Sequence, residues 1–138
     1  MVCLFISGSQ EIAQDLSGLE RYKVTHVLNI TEEVSNIYPN KFTYKRISIP
    51  DKPSTPIARY FDECFEFIDC ACANGGVVLV HCFYGASRSA SIVIGYLMKM
   101  ERMRYHEALE YLQILRPGVH PNDGFEKQLK QFELQELS

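Results

Sequence analysis

The 138-residue chain is 46% hydrophobic, enough for the core of one compact domain, and we expect a single domain over residues 1–138. Its net charge of −3 argues against a general nucleic-acid binder and against a membrane-surface protein, because both use a dense basic face. Five cysteines, an odd number in a domain large enough to fold without disulfides, favour reduced thiols and a cytoplasmic protein.

Short β-branched runs alternate with amphipathic segments in the first half of the chain. Residues 2–6 and 25–29 are predicted strands, and the segment EIAQDLSGLERY between them has apolar residues at helical spacing. Residues 42–49 alternate in polarity, which predicts a third strand that stops at Pro50. The apolar run at 2–6 is too short for a signal peptide or a membrane span, so neither is expected.

The stretch DKPSTP that follows cannot form regular structure, because prolines interrupt it. Thr55 is predicted to cap a helix that opens at Pro56 and ends at Asn74-Gly75-Gly76. The continuous apolar run at 77–80 predicts a strand covered on both faces, and three amphipathic segments after it predict three helices. The pattern indicates an α/β fold: a central, mostly parallel sheet of about four to five strands, flanked by helices, with a C-terminal helical run.

Between the run at 77–80 and the next helix lies HCFYGASRS, residues 81–89. A strand that passes through a glycine-containing loop into a helix N-terminus presents several N–H groups to one point and binds a tetrahedral oxyanion. Cys82 would lie at the bottom of this cup, where its thiolate is favoured and can attack phosphorus to give a phosphocysteine. We expect the phosphate to be bound by Phe83, Tyr84, Gly85, Ala86, Ser87 and Arg88, the last through a planar fork.

The specificity of this pattern comes from its flanks. A cysteine followed by an arginine with five residues between them arises by chance in about one chain in four of this composition, so that pair alone decides nothing. With His81, Gly85, Ser87 and Ser89 also required, the expectation falls to about two in a million. Paired cysteine and histidine spacings typical of zinc sites are missing, so no metal and no cofactor are expected.

The stretch HCFYGASRSASIVIGYLM resembles the signature of the cysteine-dependent protein tyrosine phosphatase superfamily, in its dual-specificity branch. The segments KVTHVLNIT, FTYKRISIPD, YFDECFEFI, VVLVHC and RPGVHPNDGFEKQL resemble the same family, so nearly the whole chain is covered. The small, atypical members without a kinase-docking domain are the most similar. The resemblance implies a protein tyrosine phosphatase-like fold with nucleophile, acid and arginine in one shallow pocket.

The leaving oxygen needs a proton, and Asp51 is the expected general acid because it follows a strand in the proline-rich loop. The alternative for Asp51 is an exposed turn aspartate. The Ser89 hydroxyl is expected to hydrogen-bond the Cys82 sulfur and help it leave, although a serine at a helix start is also a common cap. Ser87 is expected to orient the loop.

Two supporting residues follow from the resemblance, and two residues depart from it. His81 is expected to help hold the thiolate, with a buried neutral histidine as the alternative, and Asn122 matches a position that supports the phosphate loop, with a helix-cap role as the alternative. Phe83 and Tyr84 are bulky where relatives usually carry small, polar or aliphatic residues. Aromatic rings are therefore expected at the rim of the pocket, unless they pack against neighbouring helices.

The sequence predicts a protein phosphatase that hydrolyses phosphotyrosine and phosphoserine or phosphothreonine. Two alternatives stay open: a phospho-binding pseudophosphatase, disfavoured because Cys82, Arg88 and Asp51 are all present, and a phosphatase for lipid or RNA 5′ phosphates, disfavoured because the loop holds no lysine. The expected partner is a phosphorylated protein, with a signalling kinase as a candidate. The protein is expected to act as a monomer without nucleic acid or membrane.

Overall fold

The computed structural model describes the backbone of residues 5–137 and the side chains of residues 8–137. Its strands form one parallel sheet in the order β1-β4-β2-β3, where the strands are β1 (Phe5–Gly8), β2 (His26–Asn29), β3 (Thr43–Arg46) and β4 (Val78–His81). This confirms the predicted α/β fold with a parallel sheet of about four strands. Residues 2–4 of the first predicted strand lie outside the described residues.

The register of the sheet aligns the carboxyl ends of its strands. Gly8 and Asn29 both stand opposite His81, and Arg46 stands opposite Asn29. The loops that leave three neighbouring strands therefore start in one row, and ligands of parallel α/β sheets bind outside this edge. The strand β4 is buried along its whole length, so the segment that follows it starts from a fixed position.

Helices cover both faces of the sheet: α1 (Gln10–Gln14), α2 (Leu16–Arg21), α3 (Phe61–Ala73), α4 (Arg88–Met100), α5 (Tyr105–Leu115) and α6 (Asp123–Leu137), with a short 3₁₀ helix at Ile57–Tyr60. The three predicted C-terminal helices are present as α4, α5 and α6. Gly75 ends the α3 segment with a φ of 74°, the left-handed conformation expected there. None of the helices within residues 5–137 has the length and apolar character needed to cross a membrane.

Two local predictions are wrong. The single helix expected over EIAQDLSGLERY is broken at Asp15, whose side chain accepts a 3.1 Å hydrogen bond from the Gly18 N–H and caps α2 instead. Thr55 does not cap a helix, because its hydroxyl donates to the Pro50 carbonyl oxygen at 3.2 Å. The chain there forms the 3₁₀ helix first and becomes α-helical only at Phe61.

The core fixes the helix that carries the arginine of the signature. Helix α4 is buried on almost every side between the sheet and helices α3, α5 and α6. Gly95 lets it approach α3, since a Cβ there would lie 3.1 Å from the Phe65 ring. The start of α4 is therefore held rigidly beside the end of β4.

Three of the cysteines, Cys64, Cys70 and Cys82, are free thiols, as expected. Cys72 is disulfide-bonded, which the odd cysteine count did not predict. Burial raises the pKa of the Cys64 thiol to about 12, so this thiol stays protonated and unreactive at neutral pH.

Candidate active site

The phosphate loop, residues 82–88, curls around the sulfur of Cys82 at the carboxyl edge of the sheet. The Gly85 N–H donates to Cys82 Sγ at 3.2 Å, and the Ser89 hydroxyl oxygen lies 3.2 Å from the same sulfur. Gly85 has a φ of 77°, which a side chain would strain. With Cys82 only 2% exposed and hydrogen-bond donors around its sulfur, the loop is built to stabilise negative charge there.

Hydrogen bonds from outside the loop fix which way its peptide groups point. The carbonyl of Phe83 accepts from the Gln10 N–H at 2.9 Å, that of Tyr84 from Arg116 Nη2 at 2.7 Å, and that of Ala86 from the His120 N–H at 2.8 Å. In a trans peptide the N–H of the next residue points the opposite way from the carbonyl. The N–H groups that follow these three carbonyls therefore face the interior of the loop, as the Gly85 N–H does.

Arg88 begins α4 and is 5% exposed. Its Nη1 donates to Glu33 Oε1 at 2.8 Å and to the Ile49 carbonyl at 2.9 Å, and its Nη2 donates to Glu33 Oε2 at 2.8 Å. Nε is buried and has no hydrogen-bond partner among the described residues. A guanidinium has five N–H groups, so these bonds leave the Nε–H and one Nη2–H, which lie along one edge and fit two oxygens of one ligand.

Glu33 is a site residue that the sequence analysis missed. The hydrogen bonds and charge of Arg88 hold the pKa of Glu33 below its usual value. Although burial opposes the charge of Arg88, its hydrogen bonds to Glu33 and the nearby negative charges of Glu33, Cys82 and Asp51 raise the pKa of the guanidinium. The loop that carries Glu33 follows β2, next to β4, and Arg46 donates to its Thr31 and Glu32 carbonyls at 3.1 and 2.8 Å. The sequence could have indicated Glu33 through its place in the loop that follows the predicted strand at 25–29, because such loops start at the carboxyl edge of the sheet.

Asp51 lies in the acid loop, residues 50–56, which follows the end of the third predicted strand. Its side chain is exposed, and Oδ1 accepts a 2.9 Å hydrogen bond from Asn122 Nδ2. The same Asn122 donates to Ser87, the residue before Arg88, so the structure brings Asp51 to the loop that carries Cys82 and Arg88. The carboxyl group therefore lies beside the phosphate loop although 31 residues separate it from Cys82 in the chain.

Asn122 connects the two loops. Its N–H donates to Ser87 Oγ at 3.0 Å, while its side chain donates to Asp51 and accepts from the Phe125 N–H at 2.9 Å. One residue at the start of α6 therefore contacts the phosphate loop, the acid loop and its own helix. The contact with Ser87 is the one expected of a residue that supports the phosphate loop, and the contact with the Phe125 N–H is the one expected of a helix cap.

Comparison with known proteins places this arrangement in a family. Residues 4–135 match the family model described as dual specificity phosphatase, catalytic domain. The chain belongs to this family. Dual specificity protein phosphatase 19 of Mus musculus is 50% identical to the dual specificity phosphatase domain over 127 residues, 92% of this chain and 58% of that protein. The chain thus spans little more than half the length of that relative.

Two solved structures superpose closely on this phosphatase domain. A crystal structure of DUSP15 has a TM-score of 0.92 and 39% sequence identity, and covers 96% of this chain and 84% of its own. The human tyrosine phosphatase-like serine/threonine/tyrosine-interacting protein also has a TM-score of 0.92, with 34% identity, and covers 97% of this chain and 93% of its own. The similar structures therefore include one named as a phosphatase-like interacting protein.

The remaining predicted residues surround the loop of the phosphatase domain. His81 is buried, which lowers its pKa and keeps it neutral, and its Nδ1 lies 3.2 Å from the Cys82 carbonyl oxygen, so Nδ1 carries the proton. Tyr84 is 73% exposed, and its ring packs edge-on against Phe83 with the centroids 4.7 Å apart. The two aromatic rings form part of the outer surface beside the loop.

Proposed function

We propose that this domain is a protein phosphatase that hydrolyses phosphotyrosine and phosphoserine or phosphothreonine through a phosphocysteine intermediate. The observation that carries the proposal is the free edge of Arg88: a buried Nε without a described partner, on a guanidinium whose other edge is filled by Glu33. A buried donor that lacks an acceptor is costly unless a ligand supplies one. A phosphate group offers two oxygens with the required spacing, next to the sulfur of Cys82.

In the first step the Cys82 thiolate attacks phosphorus in line with the leaving oxygen. The backbone N–H groups of residues 83–87, of which those of Tyr84, Gly85 and Ser87 face the interior of the loop, act with Arg88. They bind the three other phosphate oxygens and stabilise the charge that spreads over them. The S–P bond forms as the O–P bond breaks, and Asp51 gives its proton to the departing alkoxide or phenoxide.

In the second step Asp51, now a carboxylate, takes a proton from a water molecule that attacks the phosphocysteine. The S–P bond breaks, inorganic phosphate forms, and Cys82 returns to the thiolate. Ser89 hydrogen-bonds the departing sulfur, a role supported by the 3.2 Å separation of the two atoms. His81 and Asn122 support the loop and do not take part in bond changes.

The proposal is tested by turnover of para-nitrophenyl phosphate and of phosphotyrosine and phosphothreonine peptides, with Cys82→Ser as the matched inactive control. We expect the wild type to hydrolyse all three, whereas the variant binds phosphopeptides without turnover. Wild-type protein that binds vanadate normally but leaves para-nitrophenyl phosphate intact would contradict the proposal.

The alternative function with a specific observation in its favour is phospho-binding without turnover. Its support is the 34% identical structure named as a phosphatase-like interacting protein. Against it, Cys82, Arg88 and Asp51 are all present and lie close together. The same assay separates the two, since a binding module would retain phosphopeptide affinity and release no phosphate.

We also propose that the protein acts on phosphorylated proteins, signalling kinases among them, as a monomer in the cytoplasm. Asn122 links Asp51 to the phosphate loop within one chain, so the proposed site is complete without a residue from a second copy. A nucleophilic thiol works only when reduced, which favours a reducing compartment. The disulfide at Cys72 points the other way, because disulfides are uncommon in the cytosol, so the redox state of Cys72 in cells tests this location.

A further inference from the structure

The acid loop has little structure of its own to hold Asp51 in place. Prolines at positions 50, 53 and 56 remove backbone donors, and the loop contains neither helix nor strand. Its internal bracing includes the Thr55 N–H to the Lys52 carbonyl at 3.0 Å and the Thr55 hydroxyl to the Pro50 carbonyl at 3.2 Å. The position of the whole loop therefore depends on the element against which it packs.

That element is the N-terminal half of α6, and Gly124 is its point of closest approach. A Cβ built on Gly124 would lie 1.9 Å from the Pro53 carbonyl oxygen and 2.5 Å from its carbonyl carbon. Gly124 is helical, so its conformation does not require glycine. The glycine is required for space alone, because the backbone of Pro53 rests directly on the helix.

Gln128, one turn further along α6, binds both the end of the acid loop and the 3₁₀ helix that follows it. Its Oε1 accepts from the Ala58 N–H at 2.9 Å, and its Nε2 donates to the Thr55 carbonyl at 2.9 Å. Residues four apart share one face of a helix, so Gly124 and Gln128 both contact the acid loop from the same face of α6. Asn122, at the start of the same helix, holds the carboxyl of Asp51 itself.

We infer that Gly124 and Gln128 are positioning residues for the general acid: they dock the acid loop on α6, so that Asp51 is in place before substrate binds. Neither residue touches the reacting atoms. Because Asn122 also binds Ser87, the same helix sets the acid against the phosphate loop, and no closure of a lid is needed. The inference rests on the proposed function, in which Asp51 protonates the leaving oxygen.

The test uses the dependence of the rate on the leaving group. General acid catalysis matters most when the leaving oxygen is basic, as in phenyl phosphate, and least when it is not, as in para-nitrophenyl phosphate. The methyl group in Gly124→Ala must displace Pro53 by about 1 Å or more, and misplacement of a catalytic group by about that distance costs on the order of 100-fold. Gly118→Ala is the matched control, because a Cβ there meets nothing within 4 Å.

The measurements are kcat/KM for both substrates as a function of pH, in the wild-type background and in Asp51→Asn. We expect Gly124→Ala to lower kcat/KM about 100-fold for phenyl phosphate and much less for para-nitrophenyl phosphate. In the wild type, kcat/KM should decline at alkaline pH as the acid ionises, and in Gly124→Ala this decline should be absent. When Gly124→Ala is added to Asp51→Asn, kcat/KM and its pH dependence should stay as they are in Asp51→Asn alone. Alkylation of Cys82 by iodoacetamide should be unchanged.

Gln128→Ala keeps the test informative if Gly124→Ala does not fold. Its kcat/KM should fall about tenfold with the same leaving-group pattern, because it removes one hydrogen bond to the acid loop and one to the 3₁₀ helix that continues it. Gln131→Ala, an exposed position on the same helix, is its control and should match the wild type. Thermal unfolding of each variant reports whether a loss of activity follows from a loss of folded protein.

The outcomes distinguish the inference from the proposed function. If Asp51→Asn shows the wild-type leaving-group dependence, Asp51 is not the acid and the proposed mechanism fails. If Asp51→Asn loses it while folded Gly124→Ala and Gln128→Ala keep it, only the inference about α6 is overturned. Equal losses on both substrates, or losses that add to that of Asp51→Asn, would also overturn it.

Discussion

The phosphate loop and the acid loop differ in how they are held. The phosphate loop joins β4 directly to α4, and its bonds to Cys82 come from Gly85 and Ser89, three and seven residues away. Asp51 is held by Asn122, 71 residues along the chain, and Thr55 at the end of the acid loop by Gln128, 73 residues along the chain. The sulfur of Cys82 is therefore bound by near neighbours in the chain, although distant residues orient the outer carbonyls of its loop, whereas the carboxyl of Asp51 is held through a tertiary contact.

This contrast predicts that damage to the phosphate loop affects every substrate alike, and Arg88→Lys should have the largest effect. An ammonium cannot offer two parallel N–H groups to phosphate and also fill the bidentate pair with Glu33. We expect kcat/KM to fall about 10³-fold for phenyl phosphate and para-nitrophenyl phosphate equally. The control is Arg104→Lys, at an exposed position, which should match the wild type. A loss in Arg88→Lys that depended on the leaving group would contradict the assignment of Arg88 to phosphate binding alone.

Ser89→Ala sharpens the comparison within the phosphate loop, because Ser89 is assigned to the second step. Loss of the hydroxyl near the sulfur should lower kcat about tenfold while kcat/KM stays close to the wild-type value. Stopped-flow measurement with para-nitrophenyl phosphate should then show a burst of nitrophenol. Ser91→Ala, a buried serine on the same helix, should show no burst. A lower kcat/KM without a burst would place Ser89 in the first step.

Glu33→Gln should have the smallest effect, since one amide oxygen can still accept from Arg88. We expect KM to rise about threefold, because the free edge of the guanidinium is less well oriented. The pKa of Glu33 is lowered from 4.5 in the folded protein, so the ion pair stabilises the fold above that pH and is lost as the pH falls through the lowered value.

Chemical unfolding at several pH values checks the electrostatic part. With Glu33 partly exposed, the variant should be about 1 kcal/mol less stable at pH 7, and the difference should vanish in acid. A difference that grew as the pH fell would contradict the assigned ion pair.

The sequence predicted the locally built parts best. The parallel sheet, the strand before Cys82 and the helix that starts at Arg88 follow from contiguous patterns, and the structure contains all three. The roles of the site residues stay predictions. Glu33 was missed because its partner Arg88 lies 55 residues away. The cap at Thr55 was wrong because its hydroxyl donates to the Pro50 carbonyl in the proline-rich loop, and the loop itself is positioned by Gln128, 73 residues away.

A glycine inside a helical pattern was the one available signal for the contact at Gly124. It did not indicate which element approaches the helix. Residues that act through long-range contacts therefore require the fold, whereas residues of the phosphate loop are recognisable in the sequence.

The most direct test of the account is iodoacetamide alkylation of each cysteine at neutral pH, with and without vanadate, followed by mass spectrometry. The exposed free thiol Cys70 serves as an internal reference. The account predicts that Cys82 is alkylated faster than Cys70 although it is buried, and that vanadate protects Cys82 and leaves Cys70 unprotected. If Cys82 reacted no faster than Cys70 and vanadate gave no protection, the loop would not stabilise a thiolate and the proposed chemistry would be wrong.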